Sequence, residues 1–499
     1  MTALSTEALG HLDPRVPIPS YDRSRCSIGI VHFGVGAFHR SHEAMYLDSL
    51  MNQGQAHDLG ICGVGLLSAD AAMRDALAEQ DCLYTLVLKH PDGRWEPRVI
   101  GSILDYLYAP EDHAKVQERL VNPETKIVSL TITEGGYNLH RVTGDFDAND
   151  PAIVADLDRD AIPRTVFGFV VRALAERRRA GIAPFTIMSC DNMPSNGQVG
   201  RRAFVAFAEL IDSELATWIR DHVDFPNSMV DRITPATTDE DRAALASRFD
   251  IDDAWPVLCE PFSQWVLEDQ FASGRPRFED VGVQVVGDVE PYELMKLRLL
   301  NASHQALCYA GYLAGHRLVH DVARDPLFAQ FLLDYMKLEA IPSLDPVPGI
   351  DLQAYADNLI ERFSNPEVRD TVARLCANSS DLIPKFILPV LRFQLDCGGS
   401  ISRCTAVLAS WARYAEGTDE QGQPIHIVDP LRDRMTPSAL RQRSDSTAFL
   451  RNRDVFGDLI DNERFVSAYV AVLTSLHEAG ARFTLSHLAD LTSATTAHS

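Results

Sequence analysis

The sequence predicts an α/β domain of the Rossmann type with an inserted hairpin, followed by a mainly α-helical domain. In the first half, short apolar runs alternate with helix-like stretches, and the runs lie at 27–33, 61–66, 126–133 and 184–190. Runs that are apolar on both faces are typical of strands buried in a parallel sheet between helices. After about residue 285 strand-like runs become scarce. We therefore expect a dinucleotide-binding domain at 1–285 and a helical domain at 286–499.

The remaining elements follow from turn signals and helical periodicity. The turn His90-Pro91-Asp92-Gly93 joins two strand-like segments, 82–89 and 95–104, into a hairpin. In the first domain the helices are expected at 165–181 and 200–221. A long apolar helix is expected between Pro291 and Gly315, since proline favours the first turn and glycine the position after the end. The later helices are expected at 326–338, 351–363, 366–377, 382–396, 402–415 and 464–479.

Composition excludes several classes of function. The 499 residues include 46 Lys and Arg against 70 Asp and Glu, a formal net charge of −24, which repels nucleic-acid phosphates. No apolar stretch of about 18 residues predicts a membrane span, and the first 14 residues do not resemble a signal peptide. Nine scattered cysteines without a CxxC pair predict neither a zinc cluster nor a disulfide framework. We expect a cytoplasmic protein with free thiols.

A glycine turn directly follows the first strand. The segment is Gly34-Val35-Gly36-Ala37-Phe38-His39-Arg40. A strand, a glycine turn and a helix start can hold a pyrophosphate on backbone N–H groups, and this predicts a dinucleotide site. His39 occupies the place of the third glycine of GxGxxG, so a plain tight turn is the alternative. After the second strand, Asp70 is the candidate partner of the adenosine ribose hydroxyls, which favours NAD over NADP; a helix-start carboxylate is its alternative.

The helix after Pro291 carries an unusual set of polar residues. At about 100° per residue, Glu293, His304 and Asn301 fall about 60°, 80° and 140° from Lys296. All four share one sector of a helix that is otherwise built for burial, so they must reach a cleft or find partners. Taken singly, each has a structural alternative: a lysine that extends to the surface, a core histidine, a helix-bridging asparagine, or a carboxylate favourable to the helix dipole.

Taken together, these side chains suit alcohol oxidation without a metal. A lysine placed against an apolar helix can have its pKa lowered towards neutrality and act as a general base. An amide N–H such as that of Asn301 can stabilise negative charge that develops on oxygen. His304 can orient the substrate hydroxyl, and Glu293, about one turn from Lys296, can pass the proton to solvent.

Four segments resemble the polyol-specific long-chain dehydrogenases/reductases, and within that family the members that act on mannitol. They are the glycine turn continued to His42, Thr131-Ile132-Thr133-Glu134-Gly135-Gly136-Tyr137, Ser189-Cys190-Asp191-Asn192-Met193-Pro194, and Lys296…Asn301…His304. The likeness extends over the whole chain, and His39 belongs to the family pattern. It implies an NAD-dependent, metal-independent enzyme, possible as a monomer, that interconverts a polyol and a ketose such as D-mannitol and D-fructose.

The resemblance also implies residue roles. Lys296 matches the general base, and Asn192 and Asn301 match the amides that polarise the reacting oxygen. Sugar-hydroxyl contacts fall on Asp231, His304 and Arg374.

Two departures from the family pattern bear on specificity. Leu382 stands where relatives often carry a substrate-contacting lysine, with Lys385 a possible replacement. Ala69 stands where relatives can have a second acidic residue before Asp70, which could relax the rejection of NADP. The alternatives are a dehydrogenase for D-arabinitol or D-sorbitol, a hexuronate reductase of the same superfamily, and a nucleotide-binding regulator without turnover. A hexuronate reductase would need a cation to bind the carboxylate of its substrate. Leu382, in place of the family lysine, argues mildly against this activity.

Overall fold

The computed structural model describes residues 1–140 and 144–493. The chain forms two compact units, one at Met1–Glu290 and one that begins at Pro291. Among the helices of the described residues, none is both long and apolar enough to cross a membrane.

Thirteen strands, all in the first unit, account for the sheets of the described chain. They are β1 Thr2–Ala3, β2 Ile28–Phe33, β3 Gly60–Gly65, β4 Tyr84–Lys89, β5 Trp95–Ile100, β6 Ile103–Tyr108, β7 Ile127–Leu130, β8 Thr186–Ser189, β9 Ser228–Asp231, β10 Ile251–Asp252, β11 Val257–Cys259, β12 Gln264–Glu268 and β13 Gln284–Val286.

The central sheet has five parallel strands in the order β6-β3-β2-β7-β8. Counted along the chain, this is the 3-2-1-4-5 order of a dinucleotide-binding fold. Alternate residues of one strand belong to two different cores: Val31 and Phe33 pack on one face, and Ile30 packs on the other. Burial on both faces explains why these strands read as continuous apolar runs, and the predicted fold class is confirmed.

The predicted hairpin is confirmed. Strands β4 and β5 pair antiparallel, with Lys89 opposite Trp95. Gly93 has φ +82°, a left-handed conformation that suits glycine in the connecting turn. Strand β11 extends this sheet on the β4 side, and β9 lies in a separate three-stranded sheet of order β13-β12-β9.

The helices of the first unit cover the central sheet and connect the smaller sheets. They are α1 Ala37–Ser41, α2 Glu43–Asn52, α3 Asp70–Glu79, α4 Ala109–Val121, α5 Thr133–Gly136, α6 Pro151–Asp156, α7 Val166–Ala180, α8 Asn196–Glu209, α9 Ser213–His222 and α10 Asp239–Phe249. The single helix expected at 200–221 is two helices, because Asp212 accepts hydrogen bonds from the backbone N–H groups of Glu214 and Leu215 and starts a new one.

The second unit is helical. Its α-helices are α11 Glu290–Met295, α12 Ala302–Leu313, α13 Val319–Arg324, α14 Pro326–Asp334, α15 Leu352–Phe363, α16 Val372–Leu375, α17 Ser379–Phe386, α18 Leu388–Cys397, α19 Ser402–Tyr414, α20 Arg432–Leu440, α21 Arg453–Phe456, α22 Glu463–Ser486 and α23 Leu488–Ser493. Two π-helical segments, Lys296–Asn301 and Tyr335–Ala340, adjoin α11, α12 and α14.

Four helical expectations in this unit are wrong in detail. The helix expected at 326–338 is α-helical only to Asp334 and then π-helical, and the helix expected at 382–396 is two helices, α17 and α18. The helix expected at 366–377 is reduced to α16, because Thr371 caps its start by accepting the N–H of Arg374. The helix expected at 291–314 is not one α-helix, since its middle is π-helical.

A buried arginine holds several loops of the first unit together. Arg177, on α7, is 1 % exposed, and its guanidinium donates to the carbonyls of Ala183, Leu120, Asn122 and Thr125 over 2.8–3.1 Å. Burial lowers its pKa to about 10. One side chain thus donates to four backbone carbonyls.

We expect Arg177→Met to lower the free energy of unfolding by about 3 kcal/mol or more, because the hydrogen bonds to four carbonyls are lost, two of them buried. Urea denaturation measures this. The neighbouring Arg178, which faces Glu214 at 3.8 Å on the surface, provides the control. Arg178→Met should cost less than about 1 kcal/mol. Equal effects of the two substitutions would contradict this account of Arg177.

Candidate active site

The candidate cofactor residues lie at one edge of the parallel sheet. Gly34 follows β2, Asp70 follows β3, Thr131 follows β7 and Asn192 follows β8. The carboxyl ends of parallel strands meet at the same edge, and the strand order reverses between β2 and β7. In open α/β sheets this reversal opens the crevice that receives a ligand.

The glycine turn is held by a close backbone approach. Gly34 has φ +92°, and a Cβ added to it would lie 2.2 Å from the carbonyl oxygen of Thr131. The Thr131 hydroxyl donates to the Gly34 carbonyl at 2.6 Å, and the Gly36 N–H donates to the same oxygen at 2.7 Å. Only glycine fits at position 34, for reasons of both conformation and space.

The start of α1 fits a pyrophosphate. Gly36 is the N-cap residue and offers no side-chain acceptor to the first N–H groups of the helix. A Cβ at Gly36 would meet nothing closer than 3.8 Å, so a ligand can approach the backbone there. Amides without a capping acceptor at a helix start can bind phosphate oxygens.

Most side chains of the glycine turn and of α1 point into the protein and support the turn. Val35, His39 and Arg40 are buried, and the Phe38 ring stacks on His42 at 4.8 Å between centroids. The Arg40 guanidinium donates to the carbonyls of Gly36 and Trp255. At this site, therefore, His39 and Arg40 meet protein groups, and the backbone of the turn from Gly34 to Ala37 is the candidate surface for a cofactor.

A fully buried cluster of one carboxylate and two imidazoles supports the turn. Glu43 Oε2 lies 3.1 Å from His32 Nδ1 and 3.2 Å from His39 Nδ1, and the two imidazole rings stack at 3.4 Å. Burial alone would raise the pKa of Glu43, but the two histidines hold it well below its usual value. Burial lowers the pKa of His39 to about 4 and that of the nearby His42 to about 3. The ligand atoms of His32, His39 and Glu43 lie close enough together to share a metal ion.

Asp70 is the first residue of α3, and its carboxylate accepts the N–H of Leu67 at 2.8 Å. Asp70 therefore closes the loop after β3. This contact agrees with the alternative interpretation of Asp70 as a helix-start carboxylate. Asp70 is partly exposed, and Ala69 before it is exposed.

The loop after β8 presents Asn192, which is exposed. The loop is anchored by the buried Asn196, whose side-chain N–H group donates to the carbonyls of Asp191 and Ser228 at 3.0 and 2.8 Å. Ser228 begins β9, and the buried Asp231 ends it. Asn196 thus joins the segment of Asn192 to the strand of Asp231.

In the second unit, Lys296 and Asn301 are the first and last residues of the π-helical turn. The Ala302 N–H donates to the carbonyl of Leu297, five residues back. A π-helix pairs residues i and i+5, so Lys296 and Asn301 stand one turn apart. The 140° separation assumes a regular α-helix and therefore does not apply to this pair. Turns of π-helix are frequent at functional sites.

A distant side chain supports this turn. The buried Tyr335, in the second π-helical segment, donates its hydroxyl to the Arg298 carbonyl at 3.2 Å. The Arg298 side chain in turn donates to Ser343. These contacts supply partners that the irregular backbone of a π-turn needs.

The other candidates in this unit lie on four helices. Glu293 is buried on α11, and His304 on α12 lies with its ring 4.7 Å from that of Phe363. Arg374, exposed on α16, makes a two-pronged ion pair with Asp370 at 2.7 and 2.5 Å, which raises its pKa. Lys385 is exposed on α17, one turn after Leu382.

Comparison with known families decides the relationship. The profile of the mannitol dehydrogenase Rossmann domain matches residues 28–280, and that of the mannitol dehydrogenase C-terminal domain matches residues 288–477. The chain belongs to the mannitol dehydrogenase family. The resemblance to the polyol dehydrogenases is thereby confirmed.

Individual members of this family match the chain over almost its whole length. A mannitol 2-dehydrogenase from Phaeosphaeria nodorum is 46% identical over 490 residues, 97% of this chain and 85% of its own. One from Aspergillus fumigatus is 46% identical over 477 residues, 94% of this chain and 95% of its own.

Two solved structures of similar proteins share the fold. The Pseudomonas fluorescens mannitol 2-dehydrogenase, solved as a ternary complex with NAD and D-mannitol, has a TM-score of 0.86 and 46% identity, covering 98% of this chain and 99% of that one. A D-sorbitol dehydrogenase in substrate-free form has a TM-score of 0.91 and 39% identity, covering 97% and 100%.

The family pattern contains Asp191 and Thr131, but reasoning from residue types assigned them no role. Their contacts join segments far apart in the chain, which spacing does not reveal. Tyr335 carried no sequence signal at all, because its partner is a backbone carbonyl.

Two buried histidines, His39 and His42, predict a pH-dependent stability. Their folded pKa values lie below the unfolded value of about 6.5, so between pH 6.5 and 5 the unfolded chain binds protons that the folded chain does not. Stability is present above this window and falls as the pH drops through it. We expect the free energy of unfolding to be lower at pH 5 than at pH 7 by about 2 kcal/mol per buried histidine.

His39→Asn should remove its share of this difference, as measured by urea denaturation at the two pH values. His11, which is exposed, serves as the control in His11→Asn. An unchanged pH difference in His39→Asn would contradict the assignment.

Proposed function

We propose that this chain catalyses the reaction D-mannitol + NAD⁺ ⇌ D-fructose + NADH + H⁺. The observation that carries the proposal is the 46% identity, over 98% of this chain, with an enzyme solved in complex with NAD and D-mannitol. The glycine turn adds support of its own, because its uncapped amides suit a dinucleotide pyrophosphate. The −24 charge is compatible with an uncharged sugar alcohol as substrate.

The proposed chemistry needs one base and two amides. Lys296 takes the proton from the substrate hydroxyl as the general base, and returns it in the reduction. Asn192 and Asn301 donate N–H groups to the reacting oxygen and stabilise its developing charge. Bound NAD supplies the hydride acceptor. The π-turn supports this assignment, since Lys296 and Asn301 are its first and last residues and such turns are frequent at functional sites. Glu293, one turn earlier, passes the proton to solvent.

The remaining polar candidates bind the other hydroxyl groups of the sugar chain. We assign this role to Asp231, His304 and Arg374, following the family pattern. The ion pair with Asp370 orients the Arg374 guanidinium. Lys385 joins them because it lies one turn after Leu382 on the same helix and can reach towards the same side.

D-Sorbitol is the second candidate substrate. The observation that favours it is the 39% identity, over almost the full length of both chains, with a D-sorbitol dehydrogenase. Sorbitol and mannitol differ only in the configuration at C2, the carbon whose oxidation gives D-fructose, so the groups around the reacting carbon decide between them.

We also propose a cytoplasmic location and a monomeric enzyme. All nine cysteines are free thiols, which suits a reducing compartment. The proposed reaction uses the Rossmann domain and the C-terminal domain of the family, and one chain matches both. A single chain therefore carries all the proposed site residues, which suits a monomer. Size-exclusion chromatography with light scattering tests the oligomeric state.

The activity is tested by following NAD reduction with mannitol, arabinitol, sorbitol and hexonates. We expect mannitol to give the highest kcat/KM, and EDTA to leave the rate unchanged. Loss of activity with EDTA, restored by a divalent metal, would overturn the metal-independent mechanism. NAD binding without turnover of any of these substrates would favour a regulator.

We expect Lys296→Ala to lower kcat by at least 100-fold, the scale on which general bases contribute, with the Kd for NAD changed by less than about threefold. Steady-state kinetics and NAD titration measure the two quantities. Lys337, on the surface of the same unit and paired with Asp357, gives the control Lys337→Ala, which should keep the wild-type kcat. Near-normal turnover in Lys296→Ala would show that another group is the base.

We expect Asp70→Ala to raise the NADP-to-NAD ratio of kcat/KM at least tenfold, because a carboxylate at this position repels a 2′-phosphate. Asp75, on the same helix and exposed, gives the control Asp75→Ala. If the ratio in Asp70→Ala equals that of the wild type and of the control, Asp70 does not face the ribose.

A further inference from the structure

The segment after β7 contains a strained residue. Thr133 has φ +63°, and among the described residues it is the only β-branched one in the left-handed region. This conformation is strained for a β-branched residue, so surrounding contacts must stabilise it. The segment lies at the carboxyl edge of the sheet, beside the strand whose loop presents Asn192.

A buried carboxylate supplies those contacts. Asp191 Oδ1 accepts the Thr133 N–H at 2.8 Å, and Oδ2 accepts the Ile132 N–H at 3.1 Å. The Tyr137 hydroxyl donates to the same Oδ2 at 2.8 Å. Burial raises the pKa of Asp191, and these three donors oppose that effect. All three donors therefore stabilise the ionised carboxylate.

The opposite side of the segment is attached to the cofactor turn. The Thr131 hydroxyl donates to the Gly34 carbonyl, and the His32 Nε2 lies 2.9 Å from the same hydroxyl oxygen. Residues 131–133 are thus fixed between the glycine turn and Asp191. Asn192, the proposed donor to the reacting oxygen, is the residue next to Asp191 in the chain.

We propose that Asp191 is a positioning residue for the reaction: by holding the strained turn at 131–133, it fixes the backbone from which Asn192 reaches the reacting oxygen. This inference rests on the proposed function of Asn192. Asp191 itself contacts backbone N–H groups and Tyr137, and its effect on the reaction is exerted through its neighbour.

A second buried carboxylate in the same unit gives a matched control. Asp156 accepts the N–H groups of Arg164 and Thr165 and the Thr165 hydroxyl over 2.6–2.8 Å. Its donors have the same chemistry as those of Asp191, but it lies at the end of α6, in a part of the unit to which no active-site residue is assigned. Asn at either position offers one acceptor oxygen where Asp offers two, so one N–H loses its partner.

The experiment compares Asp191→Asn with Asp156→Asn in the full-length chain. For Asp191→Asn we expect kcat with mannitol to fall at least tenfold, with the Kd for NAD changed less than threefold because the contacts of Gly34 remain. Amide hydrogen exchange in the peptide 131–137 should accelerate at least tenfold. Asp156→Asn should lower the melting temperature but keep the wild-type kcat and the wild-type exchange in that peptide.

Several outcomes would overturn the inference. They are a kcat within threefold of wild type in Asp191→Asn, an equal loss of kcat in Asp156→Asn, and unchanged exchange at 131–137. If Asp191→Asn does not fold, Tyr137→Phe removes one donor only, and a kcat less than threefold below wild type in that variant would overturn it. The exchange measurement needs no turnover, so a wild-type chain inactive on every polyol would refute the proposed function separately.

Discussion

The approach of Gly34 to Thr131 is the contact on which the candidate cofactor site depends. The space for a side chain at position 34 is filled by the Thr131 carbonyl, and the hydroxyl of the same threonine binds the Gly34 carbonyl. One residue therefore fixes the turn after β2 by sterics and by hydrogen bonding. It also starts the strained segment that Asp191 holds. These contacts connect the two loops on either side of the strand-order reversal. An open sheet can therefore present a preformed crevice at that point.

Those parts of the fold that rest on local patterns could be predicted from the sequence. The parallel strands were identifiable because residues such as Val31 and Ile30 are buried on opposite faces, and the hairpin because Gly93 marks its turn. The helix expected at 366–377 was wrong because apolar periodicity carries no information on where Thr371 begins the helix. Helix ends depend on capping contacts, and these follow the backbone geometry more closely than the apolar pattern.

The candidate site was predictable by residue type but not by geometry. Lys296, Asn301 and His304 were recognisable as polar residues in an apolar helix, yet their angles assumed 3.6 residues per turn. The π-turn invalidates that assumption between Lys296 and Asn301. Its support comes from Tyr335, a residue distant in the sequence that binds a main-chain carbonyl. A hydrogen bond to backbone leaves no complementary side chain to detect, so no pattern of residue types could have revealed it.

The electrostatics of the first unit explain how an acidic chain can suit an anionic dinucleotide. Arg40, the cation nearest the glycine turn in sequence, donates to the carbonyls of Gly36 and Trp255 instead of extending outward. The Glu43 carboxylate is likewise turned inward, where it faces His32 and His39. The turn can therefore meet a pyrophosphate with backbone N–H dipoles, whose attraction does not depend on net charge. The positions of those dipoles depend on the backbone that carries them, so this mode of binding needs a rigid turn. The buried cluster of Glu43, His32 and His39 and the contact of Thr131 with Gly34 provide that rigidity.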